Sequence, residues 1–84
     1  MSQLRVHQHS RKHGLDNEDI IYAWYNFVRK RQRDDDCWVA IGFDRAGHEI
    51  ELVGILLADG STLIIHTLSP ATEKIKRELK LKRS

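Results

Sequence analysis

The chain has 84 residues, of which 40% are hydrophobic and 31% charged, and this balance predicts one globular domain over residues 1–84. No apolar stretch approaches the roughly 20 residues of a membrane span, and the N-terminal residues lack the apolar run of a signal peptide, so we expect a cytoplasmic protein without a membrane partner. The single cysteine, Cys37, excludes an internal disulfide and agrees with a reducing compartment.

Basic residues are concentrated in two segments, although the formal net charge is only +2. The first segment holds Arg29, Lys30, Arg31 and Arg33, and the second holds Lys74, Lys76, Arg77, Lys80, Lys82 and Arg83. Two basic clusters on so small a domain predict a polyanionic or acidic partner, and a plain solubilising surface is the alternative.

Two helices are predicted in the first 28 residues. In the segment 4–13, Leu4 and Val6, together with His9 and His13, have spacings compatible with a short helix that Gly14 ends. Asp16 or Asn17 can cap a second helix with Glu18 and Asp19 in its first turn. The apolar stripe of this second helix consists of Ile20, Ile21, Trp24, Phe27 and Val28.

The apolar pattern then changes from helical to alternating. Alternation predicts an edge strand over residues 27–33 and further strands over 37–43, 49–57 and 62–68. Residues 44–47 supply turn chemistry and Asp59-Gly60 is a hairpin signal, so these strands form an antiparallel meander. The segment 62–68 is the most apolar and is therefore placed centrally in the sheet.

A helix is predicted at the C-terminus, with Ser69 as its cap, Pro70 at its first position and a narrow apolar stripe of Ala71, Ile75 and Leu79. The predicted fold class is therefore α+β. It is an antiparallel sheet of three or four strands with two N-terminal helices and one C-terminal helix.

Metal and cofactor sites are not indicated by the sequence. On a helix, His9 and His13 would share a face, but two ligands do not make a site, and the intervening residues lack the glutamate of a zinc protease. Asp34, Asp35 and Asp36 fit a solvated turn better than a cation site, and no glycine-rich phosphate loop is present. We therefore expect no metal and no cofactor.

His66 lies within an apolar strand, predicted on the same side as Ile64 and Leu68. It is either a hydrogen-bonded core histidine or a group held rigidly at the rim of the sheet. Trp24 is predicted to fill the core, and Trp38 either covers the sheet or stacks on a base.

A basic surface with a nearby histidine suits RNA cleavage without a metal, in which the ribose 2′-hydroxyl attacks its own phosphate. That reaction needs a base near the hydroxyl and cations around the phosphorane. The sequence offers His66, His48 or Glu51 as proton carriers, and Arg29, Arg31, Arg33, Arg45, Lys74 and Arg77 as clamps.

Three short motifs carry a family resemblance: Lys12-His13-Gly14-Leu15 before an acidic turn and a helix, the heptapeptide IGFDRAG at 41–47, and Ile65-His66-Thr67. With these motifs, residues 9–80 resemble the BrnT-like and DUF4258-like toxins of type II toxin–antitoxin systems, which share the RelE-like ribonuclease fold. Ala71-Thr72 followed by basic residues is similar to the final helix of that family. The resemblance implies an endoribonuclease acting on messenger RNA, free or on the ribosome. Its implied partner is a DNA-binding antitoxin of ribbon-helix-helix or similar type.

The chain departs from this family at two places. Members usually carry arginines around the end of the last strand, but residues 64–70 contain none, and Ile75 and Leu79 stand where an acidic residue and a tyrosine are expected. Both changes remove polar groups that contact RNA, so a non-catalytic module of the same fold, binding protein or nucleic acid, is the alternative. The candidate catalytic residues are His66, Arg31, Arg29 and Arg45, and the candidate RNA contacts are Arg33, Lys74, Lys76, Arg77 and Lys80.

Overall fold

The computed structural model describes residues 4–7, 15–34 and 36–80. These residues form five strands and two helices, in the order β1 (Leu4–Val6), α1 (Asn17–Tyr25), β2 (Phe27–Asp34), β3 (Cys37–Phe43), β4 (Glu49–Leu56), β5 (Thr62–Leu68) and α2 (Glu73–Glu78). The α+β class is confirmed. In the described ranges, neither helix is long and apolar enough to cross a membrane.

The sheet has five strands in the order β1-β5-β4-β3-β2. Strands β2 to β5 form the predicted antiparallel meander, with β2 at one edge, whereas β1 pairs in parallel with β5. The prediction of a purely antiparallel sheet is therefore wrong, and the sheet is mixed. The central strand is β4. Residues 62–68, which were predicted to be central, form β5, which lies between β1 and β4, so that prediction is wrong.

The predicted first helix is wrong where the structure describes it. Leu4 and Val6 lie on a strand, opposite Thr62 and Ile64, and both pack against the core. Two apolar residues separated by Arg5 fit a two-residue period, and the open side of β5 supplies backbone partners that an isolated segment lacks. The remainder of that predicted helix, residues 8–14, lies outside the described residues.

Helix α1 begins where capping chemistry predicts, but it ends at Tyr25, before the last two residues of the predicted apolar stripe. Asp16 is the N-cap, and its Oδ1 accepts a hydrogen bond from the backbone N–H of Asp19 at 2.8 Å. Phe27 and Val28 belong to β2 instead, where Phe27 pairs with Gly42. Their contribution to a helical stripe was a wrong interpretation, because strand pairing with β3 satisfies this backbone before another helical turn can form.

Each helix packs on its own face of the sheet. The core cluster between α1 and the sheet consists of Ile20, Ala23, Trp24, Ala40, Ile50, Leu52 and Ile64. The core cluster between the α2 segment and the other face of the sheet consists of Val39, Ile41, Val53, Ala71, Ile75 and Leu79. Alternation along β3 and β4 divides their side chains between the two clusters. Gly42 lets α1 approach closely, because a Cβ there would overlap the backbone carbonyl of Ala23.

Helix α2 starts later than predicted, so Ala71 precedes the helix and only Ile75 of the predicted stripe lies within it, with Leu79 at its C-cap. Thr72 is the N-cap, whereas the hydroxyl of Ser69 donates to the carbonyl oxygen of Glu49 at 2.7 Å, which ties the β5–α2 connection to β4. Ala71, Ile75 and Leu79 are all buried. The α2 face therefore carries a short helix that leaves part of the sheet uncovered.

Candidate functional site

His66 reaches the α2 face because β5 contains an irregularity. Gly54 pairs with Ile64 and Val53 pairs with His66, so Ile65 has no partner in the register. His66 consequently shares its face with Leu68, as predicted, but Ile64 lies in the cluster under α1, so that part of the prediction is wrong. A strictly alternating strand would have kept both residues on one side with His66.

The imidazole of His66 is anchored by a buried carboxylate. Nε2 of His66 lies 2.8 Å from Oε2 of Glu51, and Oε1 of Glu51 accepts a hydrogen bond from the backbone N–H of Thr72 at 2.7 Å. The Glu51 side chain is 5% exposed, whereas that of His66 is 44% exposed. His66 was predicted to be either a core histidine or a group at the rim of the sheet, and it lies at the rim. Glu51 holds one ring nitrogen, and part of the ring is exposed to solvent.

This pair fixes the chemistry available at the histidine. An ionised Glu51 can only accept, so Nε2 carries the proton and Nδ1 is the free acceptor. Within the described ranges, Nδ1 has no hydrogen-bond partner of its own. The arrangement therefore presents a directed proton acceptor to solvent.

A groove of about 480 Å³ lies over the imidazole. Val53 and Ile75 form part of its apolar floor, while Arg33 and Lys74 supply cations at its margin. Lys74 is exposed, and His66 is partly exposed to the groove. A polyanion lying in this groove would meet the histidine and positive charge together.

The three arginines of β2, Arg29, Arg31 and Arg33, point to the same face as α2, whereas Lys30 between them points to the α1 face. Nη1 of Arg29 donates to the carbonyl oxygen of Leu79 at 3.2 Å, and Nη1 of Arg31 donates to that of Glu78 at 3.1 Å. Both guanidinium groups thus sit at the C-terminal end of α2, where the helix dipole is negative. The two basic clusters, distant in sequence, therefore converge on the α2 face.

Arg33 forms the closest ion pair of this face. Its Nε and Nη2 donate to the two carboxylate oxygens of Glu78 at 2.9 and 2.8 Å. These hydrogen bonds hold the pKa of the Glu78 carboxyl below its ordinary value. Because the Arg33–Glu78 pair carries no net charge, the net positive charge of this face comes from its other cations.

Arg45 and His48 lie away from the groove, in the turn between β3 and β4. Arg45 binds three carboxylates at the start of α1, with contacts of 2.8 Å to Asp19, 2.8 Å to Glu18 and 3.4 Å to Asp16. Helix α1 packs on the opposite face from His66, so the structure does not bring Arg45 to the histidine. His48 is largely exposed and its Nδ1 lies 3.0 Å from Oδ2 of Asp44.

The predicted RNA contacts of α2 are distributed along the helix. Lys74 lines the groove, Lys76 pairs with Glu49 at 3.1 Å, and Arg77 is exposed to solvent. Lys80, just past the helix, adopts a left-handed backbone with φ of 59° and lines a separate hollow with Arg29 and Arg31.

From the sequence, Glu51 was predicted only as a candidate proton carrier. Its hydrogen bond with the backbone N–H of Thr72 was not predicted. One sequence signal was available, because Glu51 stands between Ile50 and Leu52 on an apolar strand. A carboxylate in such a place requires polar partners, and a histidine on the neighbouring strand is an obvious one.

Among residues 4–7, 15–34 and 36–80, no group of three or more histidine, cysteine or acidic side chains could hold a metal ion. His9 and His13, which a helix would place on one face, lie outside the described residues. Comparisons with models of protein families, with curated proteins and with solved structures found no match.

Proposed function

We propose that this protein is the toxin component of a type II toxin–antitoxin system, a metal-independent endoribonuclease that acts on messenger RNA. The observation that carries the proposal is the Glu51–His66 pair, a buried carboxylate that orients a half-exposed imidazole in a cationic groove. Support also comes from the three short motifs that resemble the BrnT-like group. His66 lies in one of them, Ile65-His66-Thr67.

In this mechanism, Nδ1 of His66 accepts the proton of a ribose 2′-hydroxyl. The 2′-oxygen then forms a bond to the adjacent phosphorus, the bond from phosphorus to the 5′-oxygen breaks, and the leaving oxygen takes a proton from water. The products are a 2′,3′-cyclic phosphate and a 5′-hydroxyl end. Lys74, an exposed cation that lines the groove, stabilises the negative charge that accumulates on the phosphorane oxygens.

The same face provides the contact for an antitoxin in this proposal. An acidic segment of a DNA-binding partner would neutralise the cations of β2 and α2 and cover His66. RNA, free or on the ribosome, and the antitoxin would therefore compete for one surface.

A non-catalytic binding module is the second candidate, and one observation favours it. Arg29 and Arg31 already donate to carbonyl oxygens of α2, and Arg33 to Glu78, so part of their donor capacity is used within the protein. Such a module would hold RNA or an acidic protein without cleaving it.

The test is cleavage of single-stranded RNA by the purified protein, with EDTA present, beside induced expression in bacteria. We expect RNA cleavage and growth arrest with the unaltered protein, and a loss of about 10²- to 10⁴-fold in cleavage rate for His66→Ala. Arg31→Ala should also reduce cleavage. Arg5→Gln is the matched control, because Arg5 is an exposed cation on β1 at the opposite edge of the sheet.

Replacing the 2′-hydroxyl groups of the substrate by hydrogen should abolish cleavage, since the nucleophile is then missing. Binding without cleavage by the unaltered protein would overturn the enzyme and leave the binding module. Cleavage that survives His66→Ala at full rate would overturn the proposed role of His66.

A further inference from the structure

Lys30 projects from β2 to the α1 face, opposite to its neighbours Arg29 and Arg31. Its Nζ lies 3.8 Å from the centre of the Trp24 ring and 4.4 Å from that of Phe27. Burial lowers the pKa of this ammonium group. Among the described residues no carboxylate pairs with it, so Lys30 is a half-buried cation without an anion.

An aromatic cleft of about 320 Å³ opens beside Lys30. Its walls include Trp24, Trp38, Tyr25 and Phe27, of which Tyr25 is 59% and Phe27 46% exposed. Ligand sites in proteins have volumes of about 300 Å³ upwards, with apolar walls and a few polar groups. Exposed rings next to an ammonium group that has no carboxylate partner among the described residues fit a planar ring linked to an anionic group, such as a nucleobase with its phosphate.

The cleft adjoins the cationic face around the edge of β2. A second hollow, of about 230 Å³, lies between β2 and the end of α2, where Arg29, Arg31 and Lys80 contribute cations. Lys30 lines both this hollow and the aromatic cleft. Glu78, which lines the second hollow, is bonded to Arg33, which lines the His66 groove. The three hollows therefore follow one another around β2.

We propose that a single-stranded RNA in the His66 groove continues past Arg31, crosses the free edge of β2 at Lys30 and places one base in the aromatic cleft. This inference rests on the proposed function and adds a second, distal RNA subsite to it. Lys30 would contact the phosphate at the crossing, and the exposed ring of Phe27 or Tyr25 would stack on the base. Stacking accepts every base, so the subsite would add affinity and length dependence without strong sequence preference.

A protein partner is the competing occupant of this aromatic surface, and Tyr22 on α1 and Val28 on β2 are further exposed hydrophobic side chains of these two elements. Two observations favour RNA. The half-buried ammonium of Lys30 lacks an anion among the described residues, and the cleft continues into a row of cations that ends at His66.

The experiment measures binding of 2′-O-methyl RNA, which has no free 2′-hydroxyl, so the result does not depend on cleavage. A dinucleotide, which fills only the His66 groove, is compared with an octanucleotide, which is long enough to reach the cleft. We expect the octanucleotide to bind more tightly and to quench tryptophan fluorescence, because Trp24 and Trp38 line the cleft.

Lys30→Gln and Phe27→Ala should each weaken octanucleotide binding by about tenfold and leave dinucleotide binding unchanged. Both side chains lie at the mouth of the cleft, and circular dichroism would verify that each variant folds. Arg5→Gln, on the opposite edge strand, should alter neither affinity.

Equal affinities of the two oligonucleotides, or variants without effect on the octanucleotide, would overturn the distal subsite even if RNA cleavage is observed. Conversely, length-dependent binding that requires Lys30 supports the subsite even if cleavage is absent. Unchanged RNA binding together with self-association that Phe27→Ala abolishes in sedimentation would assign the cleft to a protein contact and overturn the RNA path.

Discussion

Burying a carboxylate costs free energy unless its oxygens are bonded, and Glu51 meets that requirement with one bond to each oxygen. The bond to Thr72 joins β4 to the cap of α2, and the bond to His66 joins β4 to β5. The same residue therefore supports the fold and sets which nitrogen of the imidazole carries the proton.

Glu51→Gln separates these two roles. The amide oxygen can still accept from Thr72, but the amide N–H₂ group then faces Nε2 of His66 and makes that nitrogen the acceptor. Nδ1 would carry the proton and could not act as a base. We expect the RNA cleavage rate to fall by about 10²- to 10⁴-fold, while the free energy of unfolding falls by about 1 kcal/mol.

Cleavage kinetics and urea unfolding would be measured on the same preparation of Glu51→Gln. Glu18→Gln, at an exposed position on α1, is the control and should leave the cleavage rate unchanged. Full activity in Glu51→Gln would contradict the proposed orientation of the imidazole.

Two glycines on the α1 face differ in what an added methyl group would meet. At Gly42 it would overlap the backbone of Ala23, which can move only if α1 moves. At Gly54 it would lie 2.8 Å from Cη2 of Trp24 and 3.1 Å from Cγ2 of Thr62, which are side-chain atoms that can shift. The cost of a substitution therefore depends on the neighbour rather than on the glycine.

We expect Gly42→Ala to lower the free energy of unfolding by about 3 kcal/mol or more, and Gly54→Ala by about 1–2 kcal/mol. For a domain of this size, the first change would remove much of the total stability. Urea unfolding followed by circular dichroism measures both values. The reverse order would contradict the close approach of α1 to β3.

At the scale of elements, α2 is held to the sheet by its buried residue Ile75, by the flanking buried residues Ala71 and Leu79, and by the arginines of β2. The helix is only six residues long, too short to be stable alone, so these tertiary contacts keep it formed. Arg29 and Arg31 bond its last carbonyl groups, and Arg33 bonds Glu78.

The Arg33–Glu78 pair makes the stabilisation of α2 depend on pH. Its hydrogen bonds place the folded-state pKa of Glu78 below the ordinary value of 4.5, so the stabilisation is present above that pH and is lost as the pH falls through the lower folded value. We expect Glu78→Gln to cost up to about 1 kcal/mol at pH 7, because the pair is partly exposed.

Urea unfolding of Glu78→Gln and of the unaltered protein would be compared at pH 7 and at pH 2.5. The difference between them should shrink at the lower pH, since Glu78 loses its charge as the pH falls through its lowered pKa while Gln has no charge to lose. Glu18→Gln, whose carboxylate is far more exposed, should show the smaller difference at pH 7. A difference that grows on acidification would contradict the lowered pKa.

At the scale of the whole molecule, folding turns a nearly neutral chain into one with a strongly cationic face. Arg45 forms ion pairs with three acidic residues near the start of α1, and Arg33 forms one with Glu78. Lys74 and Arg77 are exposed to solvent on the α2 segment. Charge separation of this kind attracts a polyanion without a large net charge.

Binding of RNA should therefore weaken with salt in proportion to the number of phosphates contacted. Each contact with a single strand changes the slope of log affinity against log salt concentration by about −0.7. For binding of an uncleavable octanucleotide, we expect Lys74→Gln to make the slope of log affinity against log salt concentration shallower by about 0.7. Arg5→Gln should leave this slope unchanged. Equal slopes in all three proteins would contradict a phosphate contact at Lys74.

The sequence by itself determined the features that depend on neighbours along the chain. Alternation predicted β3 and β5 with the observed bounds, Asp16 was one of two predicted caps of α1, and the burial of Ala71, Ile75 and Leu79 was predicted although Ala71 precedes α2. These features follow from side-chain periodicity and from a side chain bonding a backbone N–H a few residues away, both of which are local.

The tertiary structure alone decided the features that depend on distant partners. Residues 4–6 became a strand because β5 offered an open edge, and the irregularity at Ile65 turned His66 toward the α2 face. Arg45 pairs with α1 instead of joining the histidine, and the two basic segments, more than 40 residues apart, meet beside α2. Strand pairing and burial select these arrangements from many that local patterns allow equally, which is why no spacing in the sequence could specify the site.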